Sequence, residues 1–272
     1  MCGGVPELRF DDVLGFVFDV DGTLVLRGPE GRSRPQPGAP EVLEKIRASG
    51  RPFVLFTNGS HVGSETIARG LREDGLPIRD DEVLTPVESA TTYLLRLGRP
   101  TMLFASDVIR KRMAGAGVDV VGGDRAEAVF VAHIDEASLE SIERAARAVS
   151  RGAPLLTGSY VRGYAGANGI IFSRGAMVTA AIAKVTGARP KVLGKPSRAA
   201  VAEMGRRLGL PTERLAVIGD DLAMDVKLGR LGGSRTVLVR SGITGSLRLD
   251  AVPPRHRPDA VIDGVADLLE RL

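Results

Sequence analysis

Asp19 and Asp21 stand one residue apart at the end of the apolar run Gly15-Phe16-Val17-Phe18, and Gly22-Thr23-Leu24 follow them. Two carboxylates this close repel each other, and a compensating cation relieves the repulsion. A hard divalent ion such as Mg²⁺, which takes oxygen ligands, fits such a pair. Asp-Gly is also ordinary turn chemistry, so the pair alone leaves both readings open. Three more polar groups follow apolar runs in the same way. Thr57-Asn58-Gly59-Ser60 follows Phe53 to Phe56, Gly194-Lys195-Pro196 follows Val192-Leu193, and Gly219-Asp220-Asp221, with Asp225 beyond, follows Leu215 to Ile218. Taken singly, Thr57-Asn58 reads as a helix cap, Lys195 as a surface lysine and Asp220 as a cap. Taken together they offer carboxylates for a cation, a hydroxyl and an amide for hydrogen bonds, and an ammonium for an anion. That set suits a phosphoryl group, whose transfer needs mainly positioning and charge neutralisation.

The elements that must carry these residues alternate between strand and helix patterns, which implies an α/β fold with a mostly parallel sheet. Phe16 to Phe18, Phe53 to Phe56, Val192-Leu193, Leu215 to Ile218, Thr236 to Val239 and Ala260 to Ile262 read as buried strands. If all lie in one parallel sheet, their carboxyl ends converge on the edge where such sheets build their sites. Arg27 to Pro40 reads as a loop, Pro40 to Ala48 as a helix, Ser64 as the cap of a helix to about Asp74, and Ser197 as the cap of one through Arg207. A helix from about Ala223 to Leu231 and a terminal helix complete this grammar. Between the second and third polar groups lies a separate α/β stretch. It has strands at Met102 to Phe104 and Ala128 to Val131, a helix near Val108 to Ala114, and a helix from Leu139 to Val149 with Leu139, Ile142, Ala146 and Val149 on one face.

The chain has 272 residues, 43% of them hydrophobic, enough for a substantial core in one large or two modest domains. Net charge is +4, with 37 basic residues scattered among 33 acidic ones and only 4% aromatics. That argues against nucleic-acid binding, which wants a clustered basic face and stacking rings. No apolar stretch approaches the roughly 20 residues of a membrane span. The first residues lack the basic start and apolar run of a secretory signal. Cys2 is the sole cysteine, so a reducing cytoplasm is the expected compartment.

In order and spacing, Asp19-Val20-Asp21-Gly22-Thr23-Leu24, Thr57-Asn58, Lys195-Pro196 and Gly219-Asp220 with Asp225 resemble the four motifs of the haloacid dehalogenase (HAD) superfamily of aspartate-nucleophile phosphatases. Thr57 to Ser60, Gly194 to Ser197 and the Gly175 to Thr186 helix are similar to its NagD-like, para-nitrophenylphosphatase-like branch, subfamily IIA. The resemblance covers nearly the whole chain. It implies a Rossmann-like parallel-sheet HAD core at residues 1–93 and 188–272, with an inserted α/β type II (C2) cap at 94–187. It further implies a Mg²⁺-dependent phosphatase of a small phosphorylated metabolite, with a homodimer through the cap as a further expectation.

On matching positions, Asp19 resembles the nucleophile that forms an aspartyl-phosphate and Asp21 the general acid and base. Asp19, Asp220 and the backbone carbonyl of Asp21 would bind Mg²⁺. Thr57, Asn58 and Gly59 would hold phosphate oxygens, and Lys195 would neutralise them with Asp225 orienting it. The chain departs from the branch at Gly59, at Asp221, which could add a metal ligand through water or face solvent, and at the cap turn Thr157-Gly158-Ser159-Tyr160-Val161-Arg162. Tyr160 and Arg162 are candidate specificity residues, since an Arg can take a second anionic group. His61, after the second motif, reads as a surface residue and His133 as structural, with contact to substrate as the alternative for each. Two other functions share the pattern: a phosphotransferase or phosphomutase on the same scaffold, and a non-catalytic regulator that binds a phosphorylated metabolite.

Overall fold

The computed structural model describes residues 9–27, 33–166, 169–244 and 249–272. The chain divides into two compact units, one of Met1–Thr57, Ile67–Leu84 and Val201–Leu272, the other of Asn58–Thr66 and Thr85–Ala200.

In the first unit, the strand Gly15–Phe18 is buried at every position, as expected of a strand covered on both faces of a parallel sheet. It pairs in parallel with Leu215–Gly219 on one side and Phe53–Phe56 on the other. The six-stranded order is Ala260–Ile262, Arg235–Val239, Leu215–Gly219, Gly15–Phe18, Phe53–Phe56, Val83–Leu84, parallel throughout. The central strand thus has a later strand on each flank, and the order switches direction there. Such a switch point opens a crevice at the strands' carboxyl ends. Phe16 and Phe18 are fully buried and stacked at 6.2 Å, and Phe10 meets Phe16 edge-on at 5.4 Å. Each ring adds roughly 1.5–3 kcal/mol by burial. The helix Ala39–Ala48 starts with Pro40 in its first turn and buries Ala39, Val42, Leu43 and Ile46, the spacing of one helix face.

The second unit holds a four-stranded sheet in the order Lys191–Val192, Leu155–Thr157, Ala128–Val131, Thr101–Phe104, again parallel. Apolar clusters pack on it, one around Leu103, Ile109 and Phe130 and another around Phe104, Val129 and Ile182. The helices are Pro86–Leu97, Asp107–Gly115, Leu139–Ser150 and Arg174–Thr186, and an antiparallel hairpin joins Gly163–Gly166 to Gly169–Phe172. Ser138 and Ser173 cap the last two helices by accepting the N–H of Ser141 (3.1 Å) and Ala176 (3.2 Å).

Several expectations need correction. The strand leading to Lys195 belongs to the second sheet, so only Asp19, Thr57 and Asp220 follow strands of the six-stranded one. Arg27 to Pro40 is not all loop, because Val25–Arg27 pairs antiparallel with Ser33–Pro35; residues 28–32 lie outside the described residues. Ser64 is the first helical residue of Ser64–Glu73, and its hydroxyl donates to Glu88 Oε1 (3.0 Å). Leu139 is 85% exposed, and the buried face of its helix runs through Ala145, Ala148 and Val149. The terminal helix is a short 3-10 segment, Val265–Leu268. Among the described residues no helix is long and apolar enough to cross a membrane.

Candidate active site

Asp19 follows directly on the central strand, where its N–H still donates to Ile218 O (2.8 Å). The chain then closes a tight loop, with Gly22 N–H on Val25 O (2.8 Å) and a bridge between Asp21 and Val25. Gly22 sits at φ +87°, where a side chain is strained. A Cβ on it would also overlap the Asp220 carboxylate. Thr23 Oγ1 donates to Asp19 Oδ2 (3.3 Å), tying the loop back to the strand end.

On the neighbouring strand, Asp220 is 3% exposed and its Oδ2 accepts the N–H of Ile243 (2.7 Å). Gly242 presses on the same carboxylate, with no room for a Cβ. Asp221 Oδ1 accepts the N–H groups of Ala223 (2.7 Å) and Met224 (3.2 Å), so this side chain caps the next turn. That turn, Leu222–Val226, is a π-helical segment rather than the start of a regular helix. Such single turns are rare and frequent at functional sites. It carries Asp225 back toward the strand end, where Asp225 Oδ2 accepts Asp221 N–H (3.2 Å) and a Cβ on Gly219 would overlap its carboxylate.

As a result Asp19, Asp220 and Asp225 each offer a carboxylate oxygen within 4.8 Å of the others, the one such cluster among the described residues. Asp225 is 2% exposed. Three carboxylates at this spacing, two of them buried, oppose one another's ionisation unless a cation lies among them. Their all-oxygen donor set fits a hard divalent metal.

The remaining expected residues divide between the units. Thr57 lies in the first, with its N–H on Leu84 O (3.1 Å). Asn58, Gly59, Tyr160, Arg162 and Lys195 lie in the second. Asn58 grips the Lys195 backbone from both sides, its Nδ2 donating to Lys195 O (3.0 Å) and its Oδ1 accepting Lys195 N–H (2.9 Å). A Cβ at Gly194 would overlap Gly158 O, so only glycine permits this approach. Lys195 is 3% exposed, and a buried ammonium persists only where partners meet it. Beyond Asn58, Arg112 donates to Ser64 Oγ (3.1 Å) and to Glu88 Oε1 (3.1 Å) and pairs with Glu65, fixing the helix that follows. Burial lowers the Arg112 pKa, but the two glutamates outweigh it and hold the guanidinium above its ordinary value. Tyr160 and Arg162 are exposed, and the Arg162 carbonyl accepts Ser173 N–H (3.0 Å). The sequence reading missed the Gly242-Ile243 contact with Asp220, although Ser241-Gly242 after an apolar strand is a turn signal.

A family described as haloacid dehalogenase-like hydrolases matches residues 16–119, and a second, HAD-hydrolase-like, matches residues 192–268. The chain belongs to the haloacid dehalogenase superfamily. This HAD hydrolase is 28% identical over 266 residues to the dihydroxyacetone phosphatase of Corynebacterium glutamicum, covering 94% of the chain and 91% of that relative. It is 25% identical over 256 residues to the ribonucleotide monophosphatase NagD of Escherichia coli, covering 93% and 96%. The solved p-nitrophenyl phosphatase of Archaeoglobus fulgidus superposes with a TM-score of 0.84 at 28% identity, covering 96% of this chain and all of that one. The HAD protein is therefore of the NagD-like branch, with a parallel-sheet core and an inserted α/β cap, and is a phosphoric monoester hydrolase.

Proposed function

We propose that this phosphatase hydrolyses a small phosphorylated metabolite with Mg²⁺, through an aspartyl-phosphate on Asp19. The observation that carries the reading is the Asp19, Asp220 and Asp225 cluster at the switch point of the first sheet. Asp19 and Asp220, with the backbone carbonyl of Asp21, would hold the metal. When bound, it offsets the carboxylates' repulsion and neutralises phosphate charge.

The rest of the chemistry belongs to the chain's own groups. Asp19 attacks phosphorus with a carboxylate oxygen, and the ester oxygen departs with a proton from Asp21. Asp21 then takes a proton from water as its oxygen attacks the aspartyl-phosphate, which releases inorganic phosphate and restores Asp19. Thr57, Asn58 and Gly59 hold phosphate oxygens, and Lys195 neutralises them, oriented by Asp225. The reciprocal bonds between Asn58 and the Lys195 backbone support this, because they fix a phosphate-binding amide and the ammonium-bearing residue against each other. The insert at residues 94–187, within the second unit, would be the cap that selects substrate, with 1–93 and 188–272 as the catalytic core.

Chelation tests the metal. EDTA is expected to stop phosphate release from a panel of phosphorylated metabolites and Mg²⁺ to restore it. Asp220→Ala is expected to raise the Mg²⁺ concentration needed for half-maximal rate by at least about tenfold, since one charged ligand is lost. Activity that survives exhaustive chelation would rule the metal out.

The single cysteine fits a cytoplasmic home. A homodimer through the cap is part of the same reading, supported by Ile171, Phe172 and Met177 in the second unit, 49%, 57% and 55% exposed. Sedimentation velocity is expected to give a dimer that Phe172→Glu weakens, and a monomeric wild type would end that part of the proposal.

A further inference from the structure

Each carboxylate of the acidic cluster commits one oxygen to a donor of the chain. Asp19 Oδ2 accepts Thr23 Oγ1 (3.3 Å), Asp225 Oδ2 accepts Asp221 N–H (3.2 Å) and Asp220 Oδ2 accepts Ile243 N–H (2.7 Å). The Asp220 oxygen is also walled in. A Cβ on Gly22 or on Gly242 would overlap Oδ2, so this oxygen lies against the backbone of both glycines. A Cβ on Gly22 would stand 3.2 Å from Gly242 Cα, so the two loops close on each other around the carboxylate.

Residues 241–244 hold that closure in place. Ser241 Oγ donates to Gly22 O (2.7 Å), which also accepts Gln36 Nε2 (3.4 Å). Thr244 Oγ1 donates to Asp220 O. One hydroxyl ties the turn to the loop of Asp21, the other ties it to the strand end of Asp220, and the Ile243 N–H between them meets Oδ2. The Ile243 side chain is 74% exposed and does not anchor the turn. The reaction above uses neither hydroxyl.

We propose that residues 241–244 make the cluster select Mg²⁺ against Ca²⁺, with Ser241 and Thr244 as positioning residues that act through Asp220. The proposal rests on the Mg²⁺ reading and deepens it, from which acids hold the ion to which ion they accept. Mg²⁺ takes about six ligands at roughly 2.0–2.1 Å, one or two of them carboxylates and several of them waters. Ca²⁺ takes about six to eight at roughly 2.3–2.6 Å and readily draws both oxygens of a carboxylate. With Oδ2 tied to Ile243 and enclosed by two glycines, Asp220 has a single oxygen to turn to an ion. Thr23 and Asp221 restrain Asp19 and Asp225 in the same sense. Single, fixed oxygens suit the smaller ion. A loosened turn would let Asp220 swing both oxygens toward the larger one, which removes a fixed ligand from Mg²⁺ and compensates Ca²⁺.

The test is calorimetric titration of the metal-free protein with magnesium chloride and, separately, with calcium chloride, which reads binding without turnover. Wild type is expected to bind Mg²⁺ the more tightly. Ser241→Ala and Thr244→Val each delete one hydroxyl from a half-buried position of the turn. Each is expected to raise the Mg²⁺ Kd roughly tenfold, the scale for losing a group that orients a metal ligand. The Ca²⁺ Kd should rise by less than about threefold, so the preference for Mg²⁺ shrinks. Thr244→Ser keeps the hydroxyl and should keep the wild-type preference. Either deletion alone decides the matter, which keeps the test open if the other variant folds poorly. A turn that only supports the fold would weaken both ions alike. That result, no change for either ion, or a Thr244→Ser that behaves as Thr244→Val would overturn the selection, as would a wild type that prefers Ca²⁺. A wild type that binds neither ion would instead overturn the Mg²⁺ reading beneath it.

Discussion

Asp19→Asn is expected to abolish phosphate release while leaving the fold intact. An amide has no free electron pair of comparable nucleophilicity to offer phosphorus, so the covalent step has no substitute. The stability argument points the same way. Asp19 lies within 4.8 Å of two buried carboxylates, and neutralising one of three like charges relieves repulsion in the metal-free protein. The variant should therefore melt at or above the wild-type temperature without Mg²⁺, and circular dichroism should be unchanged. Acid-quenched wild type incubated with substrate should carry a phosphoryl adduct by intact mass, and Asp19→Asn should carry none. Near wild-type turnover in the variant would mean that a different group, or water, attacks the phosphorus.

Asp21→Asn is expected to lower kcat by about 10²–10⁴, the usual range for a lost general acid–base. Its two half-reactions should separate by leaving group. Para-nitrophenolate leaves without much need of a proton, whereas the attacking water always needs a base. With para-nitrophenyl phosphate the variant should therefore accumulate phosphoenzyme, and with an alkyl phosphate it should not. The loop that carries Asp21 is held by its bridge to Val25 and by Gly22 N–H on Val25 O (2.8 Å), so the substitution should disturb little else. A loss of less than about threefold on both esters would remove Asp21 from proton transfer.

Much of this arrangement was legible in the chain. Gly15–Phe18, Phe53–Phe56 and Leu215–Gly219 are continuous apolar runs closed by polar residues, and strands buried on both faces have no other pattern. What escaped was non-local. Lys191–Val192 is two residues long, too short to encode which sheet it joins, and its partner Leu155–Thr157 is decided by packing far along the chain. Val83–Leu84 escaped for the same reason. Asp225 reads as a helical residue, yet the π turn, capped by Asp221, swings it into the acidic cluster. Leu139 obeys helical spacing, but it stands in the first turn, beyond the reach of the apolar cluster that covers Ala145 and Val149. The contact of Gly242 with Asp220 joins segments 22 residues apart in number and could be read only as a turn.

The way residues 58–61 are laced along the second sheet limits how this protein can be recombined with its relatives. A donor insert spliced over residues 85–200 would import its own version of the Lys195 strand while the host kept Asn58, Ser60 and His61. Asn58 makes two bonds to the backbone at 195, and Ser60 makes one to the backbone at 133, so a foreign loop of different length or path would leave those groups unmatched. The exchangeable module is thus discontinuous: the short second-motif segment and the long insert form a single inheritance unit. A library of chimaeras that crosses over between them should be poorer in folded members than one that moves the two pieces together.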